Sequence, residues 1–137
     1  MCLCVDVTKH YDNKGILLPR TATEDITVYK ILFIDTFNLC IATPYVRFKV
    51  ASDISHLPNT VLKATMDHNI SIAGPDACRV IKGIHSFVDF DTAKASIHTF
   101  ANTFYFMVAC IIPKGTKYYL GIDRDIVSEK LIVKKIL

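Results

Sequence analysis

The chain has 137 residues, 51% of them hydrophobic and 21% charged, with a formal net charge of +3. That much apolar side chain excludes a disordered tail, and five Gly and five Pro exclude a collagen-like or linker chain. Sixteen Lys plus Arg against 13 Asp plus Glu, with no basic run longer than Lys134-Lys135, argues against a nucleic-acid-binding face. A chain of this size buries roughly two-thirds of its unfolded surface, so one domain spanning 1–137 folds without needing a disulfide or metal.

The elements follow in chain order. Met1 to Val7 alternates and reads as a short strand, and His10 to Gly15 as a turn-rich loop. Ile26 to Ile34 is β-branched and aromatic, the clearest early strand. Leu39 to Val50 reads as a further extended stretch, with Pro44 confining its middle to an edge or a bulge. Residues 53–59 read as a loop, and 61–72 fit either a strand or a short helix. Gly74-Pro75-Asp76 is a turn, and Arg79 to Phe87 is a strand broken by Gly83. Asp89 or Asp91 then caps a helix with Ala93, Ile97, Phe100 and Ala101 on one face. Phe104 to Ile112 is apolar on both alternating faces, as a central strand is. Pro113 to Thr116 is a turn, Lys117 to Ile122 a strand, Asp123-Arg124 a tight turn, and Asp125 to Val133 a last strand. The sum is an α+β fold, a mostly antiparallel or mixed sheet with one or two short helices.

Eleven of the acids are Asp and two are Glu (Glu24 and Glu129), which fits a protein rich in caps and turns. The longest apolar run, Phe104 to Ile112, has nine residues, whereas a membrane-spanning helix needs about 20, so no membrane association is expected. No basic start followed by a long apolar core opens the chain, so no secretory signal is read there. Five scattered Cys (2, 4, 40, 78 and 110) do not form a disulfide framework, and reduced thiols point to the cytoplasm. Both ends read as strands within a sheet or against a partner. With the high apolar fraction, this favours a protein partner or a homo-oligomer.

Chemistry-bearing patterns are sparse. Cys2 would become a terminal nucleophile if Met1 were removed; a buried strand cysteine is the plainer reading. Cys2-x-Cys4 has no second pair to complete a zinc site, and His10, His56, His68, His85 and His98 are not spaced as ligands, so no metal is expected. No nucleophile elbow, phosphate loop or dinucleotide fingerprint is present. Two stretches stand out. In Lys82-Gly83-Ile84-His85-Ser86-Phe87, His85 lies beside a glycine, where a backbone or ligand can approach closely. The second runs from Ile112-Pro113-Lys114-Gly115 to Val127-Ser128-Glu129, and there Glu129 opens an apolar strand.

At these residues the chain resembles the ADP-ribosyltransferase-like fold. In that family an early strand carries a Tyr-Arg or Tyr-His pair, a middle strand a small polar motif before a helix, and a late strand a catalytic Glu. The corresponding positions are Val28-Tyr29-Lys30, Ile84-His85-Ser86-Phe87, Ile112-Pro113-Lys114-Gly115 and Val127-Ser128-Glu129, covering roughly 26–133. The chain is also similar to small phage and bacterial proteins that begin Met-Cys-Leu and share a Gly-Ile-His segment. The resemblance implies Glu129 as the catalytic carboxylate, with Tyr29, Lys30, His85 and Ser86 binding nicotinamide adenine dinucleotide (NAD). Lys30 stands where the family has Arg or His, Ser86 alone represents the polar motif, and Val127 replaces the first Glu of Glu-x-Glu. Lys lacks the planar fork of Arg, and fold likeness is not function.

The expectation is therefore a small accessory protein of phage or viral type that acts by binding, as an assembly component or a sequestering inhibitor. It would work without catalysis or cofactor, in the host cytoplasm or the virion. Two alternatives accompany it: an ADP-ribosyltransferase-like enzyme acting on NAD, and a non-catalytic pocket for an ADP-ribose-type nucleotide lined by His85 and Tyr29.

Overall fold

A computed structural model describes residues 3–43, 49–97 and 104–137. Expectations that fall on Cys2, Pro44, Phe100 and Ala101 lie outside the described residues.

The N-terminal run supplies β1 (Leu3–Cys4), after which a 3-10 turn at Val7–Lys9 ends the strand expected to reach Val7. Asp6 starts that turn by accepting from Thr8 N at 3.1 Å. The expected loop at His10–Gly15 contains β2 (Asp12–Asn13), which folds back onto β3 (Ile16–Leu17). The intervening Lys14 and Gly15 have φ of 56° and 83°, as a tight hairpin requires. β4 (Arg20–Thr21) precedes the long β5 (Ile26–Asp35). The extended stretch expected over 39–50 divides into β6 (Cys40–Ala42) and β7 (Lys49–Ala51), paired antiparallel. A 3-10 turn at Ile54–His56 lies within the expected loop, and 61–72 resolves into β8 (Val61–Lys63) and β9 (Ile70–Ser71), strands of different sheets.

Gly83 separates β10 (Arg79–Val80) from β11 (Ile84–Phe87). Asp89, not Asp91, caps α1 (Phe90–Ile97), accepting from Thr92 N at 2.7 Å; α1 is the one α-helix among the described residues. β12 (Tyr105–Ile112), β13 (Lys117–Leu120), β14 (Asp125–Ser128) and β15 (Lys130–Ile136) complete the chain. The fold is α+β, and every described strand pair is antiparallel.

The main sheet runs β4-β13-β14-β11-β5-β12-β15-β8, with β6 and β7 continuing from the far end of β5. β14 and β15 are two halves of one run interrupted at Glu129, so the two arms of the sheet meet and the sheet curls around one core. Side-chain alternation shows the interruption. Ile126 and Ser128 are buried before it and Leu131 and Val133 after it, so the inward parity reverses across Glu129. Ser128 Oγ spans the break, donating to Lys130 O at 3.2 Å.

Inside the curl, Val28, Leu32, Ile84, Val108, Cys110, Ile112, Ile126, Leu131 and Val133 form the main core. A second core of Leu3, Val5, Leu17, Met66, Ile70, Val80, Tyr119 and Val127 joins the short strands to the outer face of β13 and β14. Tyr119, fully buried there, donates its hydroxyl to Leu17 O at 2.9 Å, which satisfies its polar end. His10 packs 5.0 Å from the Tyr119 ring, and its Nε2 accepts from Leu120 N at 2.9 Å. Burial pushes its pKa down, which suits a neutral ring that accepts at one nitrogen. Among the described residues, no helix is long and apolar enough to cross a membrane.

Candidate functional site

The five residues singled out by sequence occupy three different settings. Lys30 projects from β5 into the curl, between Val28 and Leu32, and is 6% exposed. Its ammonium donates to His85 O at 2.6 Å. β11 and β5 share a single register pair, Phe87 with Tyr29, so the two strands part beyond it and Lys30 bridges the opening. Burial pushes the Lys30 pKa down to about 8, and the thiol of nearby Cys110 is pushed up to about 12 by its own burial. Ser86 also faces the interior, 1% exposed, and its Oγ finds no partner among the described residues. The His85 ring lies on the opposite face of β11, with Nε2 3.0 Å from Ile81 O and a buried, unpartnered Nδ1. Its pKa is lowered, first by burial and also by the Lys30 charge.

Tyr29 lies on the outer face of β5, its ring edge-on to Phe90 of α1 at 5.9 Å. Glu129 sits at the break between β14 and β15, partly exposed, and its Oε1 is 2.6 Å from His68 Nε2. The structure thus brings Lys30 to the main-chain carbonyl of His85, next to Ser86 in the strand, and gives Tyr29 and Glu129 separate partners. The glycine beside His85 is approached closely, as expected, but by the Val127 side chain. Cys40 and Cys110 are buried and free, while Cys4 is exposed. No group of three His, Cys, Asp or Glu among the described residues could hold a metal.

His68 also lines an open surface cavity of about 390 Å³, with Asp67, Asn69, Ser71, Asp76 and Arg79. Asp67 Oδ2 accepts from Ile81 N and Lys82 N at 2.9 and 3.0 Å, so it fixes the cavity wall. Ser71 Oγ is engaged with Ala73 O at 2.7 Å, which leaves it no free nucleophilic role. None of the five sequence-derived residues lines this cavity.

The most specifically built surface feature is the turn between β5 and β6. Asp35, 2% exposed, accepts from Phe37 N at 3.0 Å and Asn38 N at 3.1 Å through one oxygen, and from Asn38 Nδ2 at 2.8 Å through the other. That is an Asx-type turn with both carboxylate oxygens used. It holds Phe37 92% exposed and Leu39 80% exposed. Leu39 has φ of 52°, a left-handed conformation that disfavours a bulky side chain. Beneath the turn Phe33, Cys40 and Ala42 form a small core, and the Tyr105 ring stacks 5.6 Å from Phe33. Folding thus fixes two large apolar side chains in water at a rigid tip. The signal was in the sequence: Asp35-Thr36-Phe37-Asn38-Leu39 sets apolar residues into a turn composition between two apolar strands.

Asp35→Ala removes these three contacts and is expected to cost about 2–3 kcal/mol, a loss of roughly 6–12 °C in melting temperature. Asp35→Asn, which can still accept from both amides, should lose less than half of that. Thermal melts of the two variants check the ordering, and equal losses would mean the turn does not depend on these bonds.

Comparison with family models, with curated proteins and with solved structures gives no match for this chain.

Proposed function

We propose that this chain is a non-catalytic accessory module that binds a protein partner, and that Phe37 and Leu39 are its anchors. One observation carries the reading: a turn locked by a buried carboxylate holds two apolar side chains 92% and 80% exposed, one of them in a left-handed conformation. Water gives no reason for such an arrangement. A pocket on a partner does, because rigid apolar anchors enter it with little conformational entropy left to lose.

A photo-crosslinking residue placed at position 37, in the cell extract that naturally contains the protein, should yield one discrete product. That product is either a dimer of this chain or a defined heteromer. Leu39→Ser should reduce it by an order of magnitude or more, since each buried anchor contributes about 1.5–3 kcal/mol. The same probe at Tyr11, 71% exposed on another part of the surface, is the control. A yield at 37 no greater than at 11 would overturn the reading.

The ADP-ribosyltransferase-like reading, with NAD as substrate, draws on the meeting of Lys30 with His85 beside Ser86. What supports the binding role over it is that Glu129 contacts His68 and that Tyr29 packs against Phe90. A melting-temperature rise of several degrees with NAD or ADP-ribose at about 100 times its Kd would favour the nucleotide reading.

A further inference from the structure

On the outer face of β8, β15 and β12, strand register arranges charge and apolar surface in rows. Lys63 lies opposite Lys130; in the next row Val61 lies opposite Ile132, and Ile132 opposite Ile111. Lys135 follows, opposite Ala109. Lys63 and Lys135 are exposed, Lys130 and Ile132 partly so, and Val61 is 46% exposed.

Like charges directly opposite on neighbouring strands cost a few tenths of a kcal/mol up to about 1. Among the described residues no ion pair engages Lys63 or Lys130 to offset that cost. The ion pairs among the described residues use Asp53, Glu129 and Asp89 on other partners, and residues 1–2, 44–48 and 98–103 contain no Asp or Glu. A lysine on an edge strand can serve to discourage edge-to-edge pairing. Lys63 is on such a strand, since β8 ends the sheet among the described residues, but Lys130 is on β15, between β12 and β8. A guard has no purpose there.

We propose that this face docks an extended acidic segment of a protein partner, laid along the open edge of β8. A strand added there presents same-face side chains about 6.7 Å apart, the spacing of the rows. An acidic residue then meets Lys63 and Lys130, and an apolar residue two positions on meets Val61 and Ile132. Charge complementarity selects the partner. The apolar row is aliphatic, and the neighbouring Tyr29 ring is committed to Phe90. Among the described residues of these rows, base stacking, which single-stranded nucleic acid relies on, has no platform.

The test is fluorescence anisotropy with a labelled peptide of repeating Glu-Thr-Val-Thr, against the same peptide with Lys for Glu and against an oligothymidylate. The acidic peptide should bind saturably, more tightly at low salt, and more tightly than either control. Lys63→Gln with Lys130→Gln should weaken it about tenfold or more. Lys130→Glu alone should also weaken it while holding or raising the melting temperature, because it faces Lys63, so a loss of binding cannot be a loss of fold. Phe37→Ser should leave it unchanged, which separates this surface from the turn at 35–40. No saturable binding of the acidic peptide, equal binding by the double variant, or tighter binding of the oligothymidylate would each overturn the proposal.

Discussion

Lys30→Met is expected to stabilise the protein at pH 7 by about 2 kcal/mol, roughly 6–10 °C in melting temperature, and to lose that advantage as the pH rises. The reason is a buried ammonium whose described hydrogen bond goes to a neutral carbonyl, His85 O, and not to a carboxylate. Its pKa falls from the ordinary 10.5 to about 8, which corresponds to about 3 kcal/mol of disfavoured charge. Below pH 8 both the folded and the unfolded chain hold this proton, so the penalty is fully present. Between 8 and 10.5 the unfolded chain holds the proton that the folded chain has released, so the Lys30 contribution to stability rises with pH. Methionine fills similar space without charge and gives up one hydrogen bond, about 1 kcal/mol, leaving the net gain near 2.

Cys110 titrates in the opposite sense, since its folded pKa of about 12 lies above the ordinary 9.0 and its contribution is lost as pH rises through that interval. The informative quantity is therefore the difference between Lys30→Met and wild type, measured by urea unfolding at pH 7 and near pH 10. It should shrink over that range and approach a change of sign. A difference that is constant in pH, or a variant that is less stable at pH 7, would show that the ammonium is not held at a cost. The cost has a structural counterpart. Lys30 reaches the carbonyl of β11 at the place where that strand leaves β5, so it sets where the ladder opens.

That role illustrates what the sequence shows and what it leaves hidden. The long strand at 26–35, the central strand at 105–112 and the Asp89-capped helix were legible because each carries many residues of one period with a clear boundary. Strands of two or three residues were not, since Asp12–Asn13 or Ile70–Ser71 is too short to show a period and exists only through its pairing. The break at Glu129, where the expected strand Asp125 to Val133 divides in two, is hidden for a related reason. A one-residue break in a run of apolar side chains leaves no compositional trace, yet it turns that carboxylate toward His68, 61 residues away. Lys30 and His85 are 55 residues apart, so their hydrogen bond follows from the curl of the sheet and from nothing local. The Phe37 turn is the reverse case. Its determinants are all local, an Asp-x-Phe-Asn-Leu turn, but binding anchors carry no reactive group to mark them as a site.

Gly83→Ala is expected to cost about 3–5 kcal/mol and to lower the melting temperature by roughly 10–20 °C. Two terms add. Gly83 has φ of 133°, a conformation that side-chain-bearing residues rarely adopt and that costs of order 1–3 kcal/mol. The new Cβ would also fall well inside contact distance of Val127 Cγ1 and 3.1 Å from Met66 Cγ, a further overpacking cost of about 1–3 kcal/mol. Val127 is fully buried in β14 and Met66 is 2% exposed, so neither has room to withdraw. Gly74 separates the two terms, because its φ is 102° but an added Cβ would meet nothing within 4 Å. Gly74→Ala should therefore show the conformational cost alone, about 1–2 kcal/mol. Val127→Ala in the Gly83→Ala background should recover part of the loss, giving a favourable coupling of about 1 kcal/mol or more in a double-mutant cycle. Equal losses at Gly83 and Gly74, with no coupling to Val127, would mean that backbone conformation alone makes position 83 a glycine. A larger loss at Gly83 with measurable coupling would place the contact between β11 and the second core at that glycine, where the short N-terminal strands are joined to the main sheet.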